Sequence, residues 1–119
     1  MEIKLNLSGH ENEHLTKLGF TFPGALHVDL ADPELPNKVV EFLKKECGLS
    51  SGDTVIIAPP GLAPLAVLTI AAIHGLTGTF PSVVPLIRSK EGFVPGEEIP
   101  LQDFRNDIAR SSRENVVKL

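Results

Sequence analysis

Tryptophan and tyrosine are missing from this chain of 119 residues, and its aromatic content is six Phe. A stacking platform for single-stranded nucleic acid needs several flat aromatic faces, so that class of binding is not expected. Positive charge is sparse as well. There is no basic tail and the formal net charge is −4, which argues against broad electrostatic binding to duplex DNA or RNA. A small phosphorylated ligand held by backbone amides remains compatible with that charge. The single cysteine, Cys47, allows no internal disulfide. A lone Cys near a helix end reads as a small apolar residue rather than a reactive thiol. No signal peptide is visible, since the N-terminus reads as a strand at once, so a cytoplasmic location is expected.

Other signatures are absent too. The longest apolar run, Leu62 to Ile73, carries one polar group, on Thr69. It is too short to span a bilayer, so no membrane partner is expected. There is no G-x-x-x-x-G-K-[ST] and no G-x-G-x-x-G, and the usual P-loop and dinucleotide readings lose their support. There is no G-x-S-x-G elbow for a serine nucleophile. Ser8 precedes Gly9 and His10, but no oriented base or oxyanion hole is evident for it.

What is present centres on residues 51–79. Turn residues Ser51, Gly52 and Asp53 precede a strand over 54–58, apolar on both faces, which suits a parallel sheet covered on both sides. The turn Pro59-Pro60-Gly61 follows, then a helix over 62–73 that Gly75 and Gly78 end. Its nearly unbroken apolar surface predicts a helix buried all round, either in a core or against another subunit. Gly61 leaves backbone amides exposed as that helix begins, a natural place for a phosphate.

The rest of the chain supplies more strands and helices. Residues 2–7 alternate, with Ile3, Leu5 and Leu7 on one side, and predict a strand. Residues 12–18 predict a short helix. Residues 25–30 predict a second short strand with Leu26, Val28 and Leu30 on one face. Asp32 and Pro33 predict an N-cap and first helical position. The helix they open has Val39, Val40, Phe42 and Leu43 as its stripe and Gly48 as its stop. Residues 82–87 predict a fourth strand, at an edge or irregular because of Pro85. Turn signals within 88–100 predict a small hairpin. Residues 101–114 predict a last amphipathic helix with Phe104, Ile108 and Leu101 facing inward.

Alternating strands and helices at this length predict one α/β domain over residues 1–119, with a compact, doubly wound, three-layer architecture. The expected sheet has four mostly parallel strands in the order 2-1-3-4. Ligands of such sheets bind outside the carboxyl ends of the strands at the switch point, here between strands 1 and 3. Two loops meet there, 6–10 and 59–63.

Residues His10 to His14 match the zinc-protease pattern H-E-x-x-H. Polar residues fill the middle of the motif and no third ligand follows at a useful spacing. We read it as a chance match, and neither a metal nor a cofactor is expected. His10 itself, ending the first strand, reads equally as a phosphate contact, a general acid or base, or a solvated loop residue. Arg88 reads as an anion contact at the same sheet edge or as a surface charge. His27, His74 and Thr77 read as structural. Asp29 and Asp32 lie near the end of the second predicted strand, where Asp32 is a cap.

Asn6-Leu7-Ser8-Gly9-His10, Ala58-Pro59-Pro60-Gly61-Leu62 and residues 74–81 together resemble the small CRISPR-ancillary proteins of type III systems. These are Rossmann-like domains related to the CRISPR-associated Rossmann-fold sensors. The resemblance spans residues 1–115. It implies a homodimer that binds cyclic tetra-adenylate, with Asn6, Ser8, Gly9, His10, Pro60, Gly61, Leu62 and Ala63 as ligand residues. Arg88 joins them from the sheet-edge argument. Some members sequester the messenger as sponges, and others are metal-independent ring nucleases. The loops offer no second base beside His10, which is the catalytic candidate if there is one, so the sponge is the preferred expectation. Ligand-linked assemblies larger than a dimer would suit a sponge. A regulatory α/β subunit with a protein partner is a third reading.

Overall fold

The structure, a computed structural model, describes residues 1–117. Its frame is a strand pair in which β1 (Glu2–Asn6) runs parallel to β2 (Thr54–Ala58), in register from Glu2 opposite Thr54 to Asn6 opposite Ala58. β2 is central because its residues are buried on both sides. Val55 and Ile57 enter one core, while Ile56 and Ala58 enter another. β3 (Ser82–Val83) continues the sheet parallel to β2, and β6 (Ile99–Pro100) closes it antiparallel to β3. The protein is therefore α/β with a mixed sheet, ordered β1-β2-β3-β6.

Among the described residues, four helices and a hairpin accompany this sheet: α1 (Glu13–Lys17), α2 (Leu35–Lys45), α3 (Ala63–Thr77), α4 (Leu101–Val117), and β4 (Leu86–Ser89) paired antiparallel with β5 (Gly92–Pro95). α2 and α3 pack on the Val55/Ile57 side through Val39, Leu43 and Ile73. α1 and the start of the hairpin cover the other side through Leu15 and Leu86.

Several expectations need correction. Residues 25–30 form no strand, so the order 2-1-3-4 fails at that edge, although β1, β2 and β3 run parallel. The place beside β1 is taken by Thr21, whose N–H and C=O bond Lys4 and Asn6 in a single parallel bridge with Leu5. Pro23 and Gly24 then turn the chain away. Leu26 and Val28 still face the core, but as an irregular segment packed beside α2 and α3.

The second helix starts at Leu35, not Pro33. Asp32 caps one step early, its Oδ1 accepting the Glu34 N–H while its carboxylate pairs with Lys38. That pairing and hydrogen bonding hold the Asp32 carboxyl below the usual range.

α3 runs through Gly75 and ends at Gly78, whose φ of +95° is the left-handed cap that favours glycine. The helix is not buried all round. Thr69, Ile73 and Thr77 face inward, and Val67 is 67% exposed. The two threonines can sit inside because each hydroxyl donates back to a helix carbonyl, Leu65 O and Ile73 O.

Pro85 splits the predicted 82–87 strand. It has no N–H to extend the ladder, so the chain leaves the main sheet and becomes the hairpin. α4 is tied in by Gln102, whose Oε1 accepts the Phe80 N–H. Phe104 and Ile108, expected inside, are 59% and 51% exposed, because no other element lies over that face among the described residues. No helix of the described residues is long and apolar enough to cross a membrane.

Candidate functional site

β1 and β2 are neighbours and parallel, so the loops that leave their carboxyl ends emerge side by side. The first is a tight curl. Asn6 is 2% exposed, and its Oδ1 accepts the N–H of Ser8 at 3.1 Å and the Ser8 hydroxyl at 2.6 Å. Its Nδ2 donates to the carbonyl of His10 at 2.8 Å. Gly9 turns the curl at φ +88°, a backbone conformation other residues adopt only with strain. The His10 residue is left exposed at the rim.

The second loop is stiff for a different reason. Pro59 and Pro60 fix its path, and Leu62 enters α3 in an extended conformation. Leu62 offers no side-chain acceptor, so no side chain caps the first turn of α3. The amides of that turn thus have no side-chain acceptor, and Pro64 has no amide to offer.

Between the loops lies a pocket of about 320 Å³. Ser8, Gly9 and His10 line it from one side and Pro60, Gly61 and Leu62 from another. Six of the nine residues expected at the site thus meet in one cavity. Three do not. Asn6 stands behind the wall and braces it. Ala63 begins α3 beside the pocket without lining it. Arg88 rides on the hairpin, exposed, with its guanidinium 6.0 Å from the Phe93 ring centroid. Its departure follows from Pro85, which ends the main-sheet strand before Arg88 is reached.

The deeper walls were not anticipated as part of a site. Leu26 and Val28 come from the irregular segment, Val39, Phe42 and Leu43 from α2, and Leu65 and Thr69 from α3. Their apolar spacing reads as core packing, and Val39 and Leu43 do belong to the main core, with Leu26, Val28, Phe42 and Leu65 packed against it.

The pocket carries no Asp, Glu, Lys or Arg in its lining, and His10 is its one titratable side chain. Glu11 and Glu13, next to His10 in sequence, line a separate shallow depression with Asn12, Thr16 and Lys17. The reason is the start of α1. Asn12 caps it, its Oδ1 accepting from the N–H groups of His14 and Leu15, and this directs the chain away from the pocket. The same geometry dissolves the H-E-x-x-H pattern, since His10 precedes the helix that carries His14. No group of three or more potential metal ligands forms among the described residues. Burial pushes the Cys47 thiol up to about 11, with Glu46 adding to the shift, so it is a poor nucleophile at neutral pH.

These features define a mixed-sheet α/β protein with an uncharged, apolar-walled pocket at the carboxyl edge of its parallel strands. Comparison of the chain with protein-family models, curated proteins and solved structures finds no significant match.

Proposed function

We propose that this chain binds cyclic tetra-adenylate and sequesters it, acting as a sponge for the second messenger of type III CRISPR defence in the cytoplasm. The observation that carries the reading is the pocket, with no acidic or basic side chain but His10 in its described lining, where the loops 8–10 and 60–62 converge. Apolar walls with a few polar groups at the rim suit a nucleobase. Free backbone amides at the start of α3 suit its phosphate. The resemblance of residues 6–10 and 58–62 to the CRISPR-ancillary proteins supplies the identity of the ligand, and the pocket supplies chemistry consistent with it.

The size of the cavity bears on stoichiometry. About 320 Å³ is near the small end for ligand pockets, enough for one nucleoside and too little for a four-nucleotide ring. A ring whose nucleosides each enter such a pocket would engage more than one copy, and a homodimer would match its rotational symmetry. Further copies joining through the ring would give larger assemblies.

Binding without turnover is favoured because in-line attack by a ribose 2′-hydroxyl needs a positioned charge or proton donor at the leaving oxygen. His10 is the single candidate in the lining. A ring nuclease is the second reading and rests on that residue.

The test incubates labelled cyclic tetra-adenylate with excess protein in metal-free buffer. One half of the sample runs on a native gel and the other is deproteinised and chromatographed. A shifted band with intact ring is the expected result. Linear products would replace the sponge with a ring nuclease, and His10→Ala would then abolish them. Neither shift nor products would reject the ligand.

A further inference from the structure

We propose that Asn6 is a positioning residue: it sets the shape of the 8–10 rim from behind and does not touch the ligand. Sequence alone groups Asn6 with the ligand contacts. Its surroundings assign it elsewhere. The side chain is 2% exposed and does not line the pocket. Both ends of its amide are committed to one short loop. The oxygen gathers the Ser8 N–H and hydroxyl, and the nitrogen holds the His10 carbonyl.

The backbone on either side of Asn6 is fixed independently. Its N–H donates to Thr21 O, and the next N–H, of Leu7, donates to Ala58 O. The amide is thus a rigid strut rooted in the sheet, and the curl is folded against it. Ser8 reinforces the closure, since its hydroxyl also lies 3.0 Å from the His10 carbonyl. With that carbonyl drawn inward, the Gly9 and His10 main chain keeps a fixed edge toward the pocket. A small ligand gains affinity from such an edge because the loop need not be ordered on binding.

The effect on affinity rests on the proposed ligand, whereas the effect on the loop does not. Two readouts separate them. Amide hydrogen exchange of the free protein reports the loop alone. For Asn6→Ala, exchange at residues 8–10 is expected to rise about tenfold, with α2 and α3 unchanged, as the three part-buried hydrogen bonds of the Asn6 side chain are lost. Affinity for labelled cyclic tetra-adenylate is expected to fall by about tenfold as well. Asn6→Asp guards against a variant that does not fold. It keeps the volume and the acceptor for Ser8 but turns an oxygen toward the His10 carbonyl, so exchange should rise at residue 10 more than at residue 8.

Wild-type exchange at 8–10 in both variants overturns the proposal. So does loosened exchange with undiminished affinity. If the wild-type protein binds no ring, the ligand assignment fails while the exchange result still decides whether Asn6 braces the loop.

Discussion

The two faces of the central sheet are built to different standards. One is covered by α2 and α3, and its buried set includes Leu5, Leu35, Val39, Leu43, Val55, Ile57 and Ile73. The other is covered by the short α1 and the base of a hairpin, over Leu15, Phe20, Ile56, Ala58 and Val84. The pocket lies on the thick face, and Val39, Leu43 and Leu65 belong to both pocket and core or its edge. A cavity keeps its shape when its walls are held by close packing on their far side. The position of this pocket therefore follows from the position of the core, and the thin face can change without deforming it.

Removing atoms from each face is the strongest way to break that comparison. Ile57 is 0% exposed at the centre of β2. Ile57→Ala should cost about 4 kcal/mol, since two helices and the sheet cannot collapse into the gap. Leu15 is also 0% exposed, but it is carried by a five-residue helix that packs on the sheet. Leu15→Ala should cost about 2 to 3 kcal/mol, because such a cover can settle toward the sheet. Denaturant titrations with a common slope measure both. Equal losses would show that the two faces are packed alike. A weakened ligand affinity in Leu15→Ala, at a temperature where it is folded, would show that the thin face shapes the pocket after all.

The difference between the faces also explains what the sequence could and could not reveal. The strand 54–58 was legible because a run buried on both sides leaves no polar alternation, and its parallel pairing to the N-terminal strand followed from topology. The meeting of the two loops followed from the same pairing. Residues 25–30 misled because Leu26, Val28 and Leu30 alternate just as a strand does. Alternation shows which side is apolar, not whether a neighbour is free to bond. The orientation of α3 was hidden for the opposite reason. With Thr69 as the one polar residue over 62–73, its pattern has no direction, and the polar group proved to be on the inside. Arg88 was misplaced by a local event, the chain leaving the sheet at Pro85. The rim of the pocket was readable as loop chemistry, whereas its walls looked like ordinary core because they are core.

A smaller effect is expected at Asn12, where the thin face depends on a side chain more than on packing. Asn12 caps α1, and its Nδ2 donates to the carbonyl of Phe93 at 2.9 Å, fastening the helix to the hairpin. Asn12→Ala should cost about 1 to 2 kcal/mol through the lost cap and tether. Asn12→Ser keeps a capping oxygen and loses only the tether, so it should retain roughly half of that stability or more. Thermal melts of the two variants give the split. A loss below about 0.5 kcal/mol for Asn12→Ala would mean that apolar contact alone holds α1 in place.

The smallest effect should come from α4. Phe104 is 59% exposed and Ile108 51%, on a helix fastened near its start by Gln102. Phe104→Gln removes little buried area within one chain, and its cost should stay within about 0.5 kcal/mol. The measurement is worth making at two protein concentrations, because the prediction treats this face as open to solvent. A loss above about 1 kcal/mol that grows with concentration would mean that a second copy covers Phe104, since association stabilises by mass action. The contrast would then lie less between the faces of one sheet than between the free chain and its assembly.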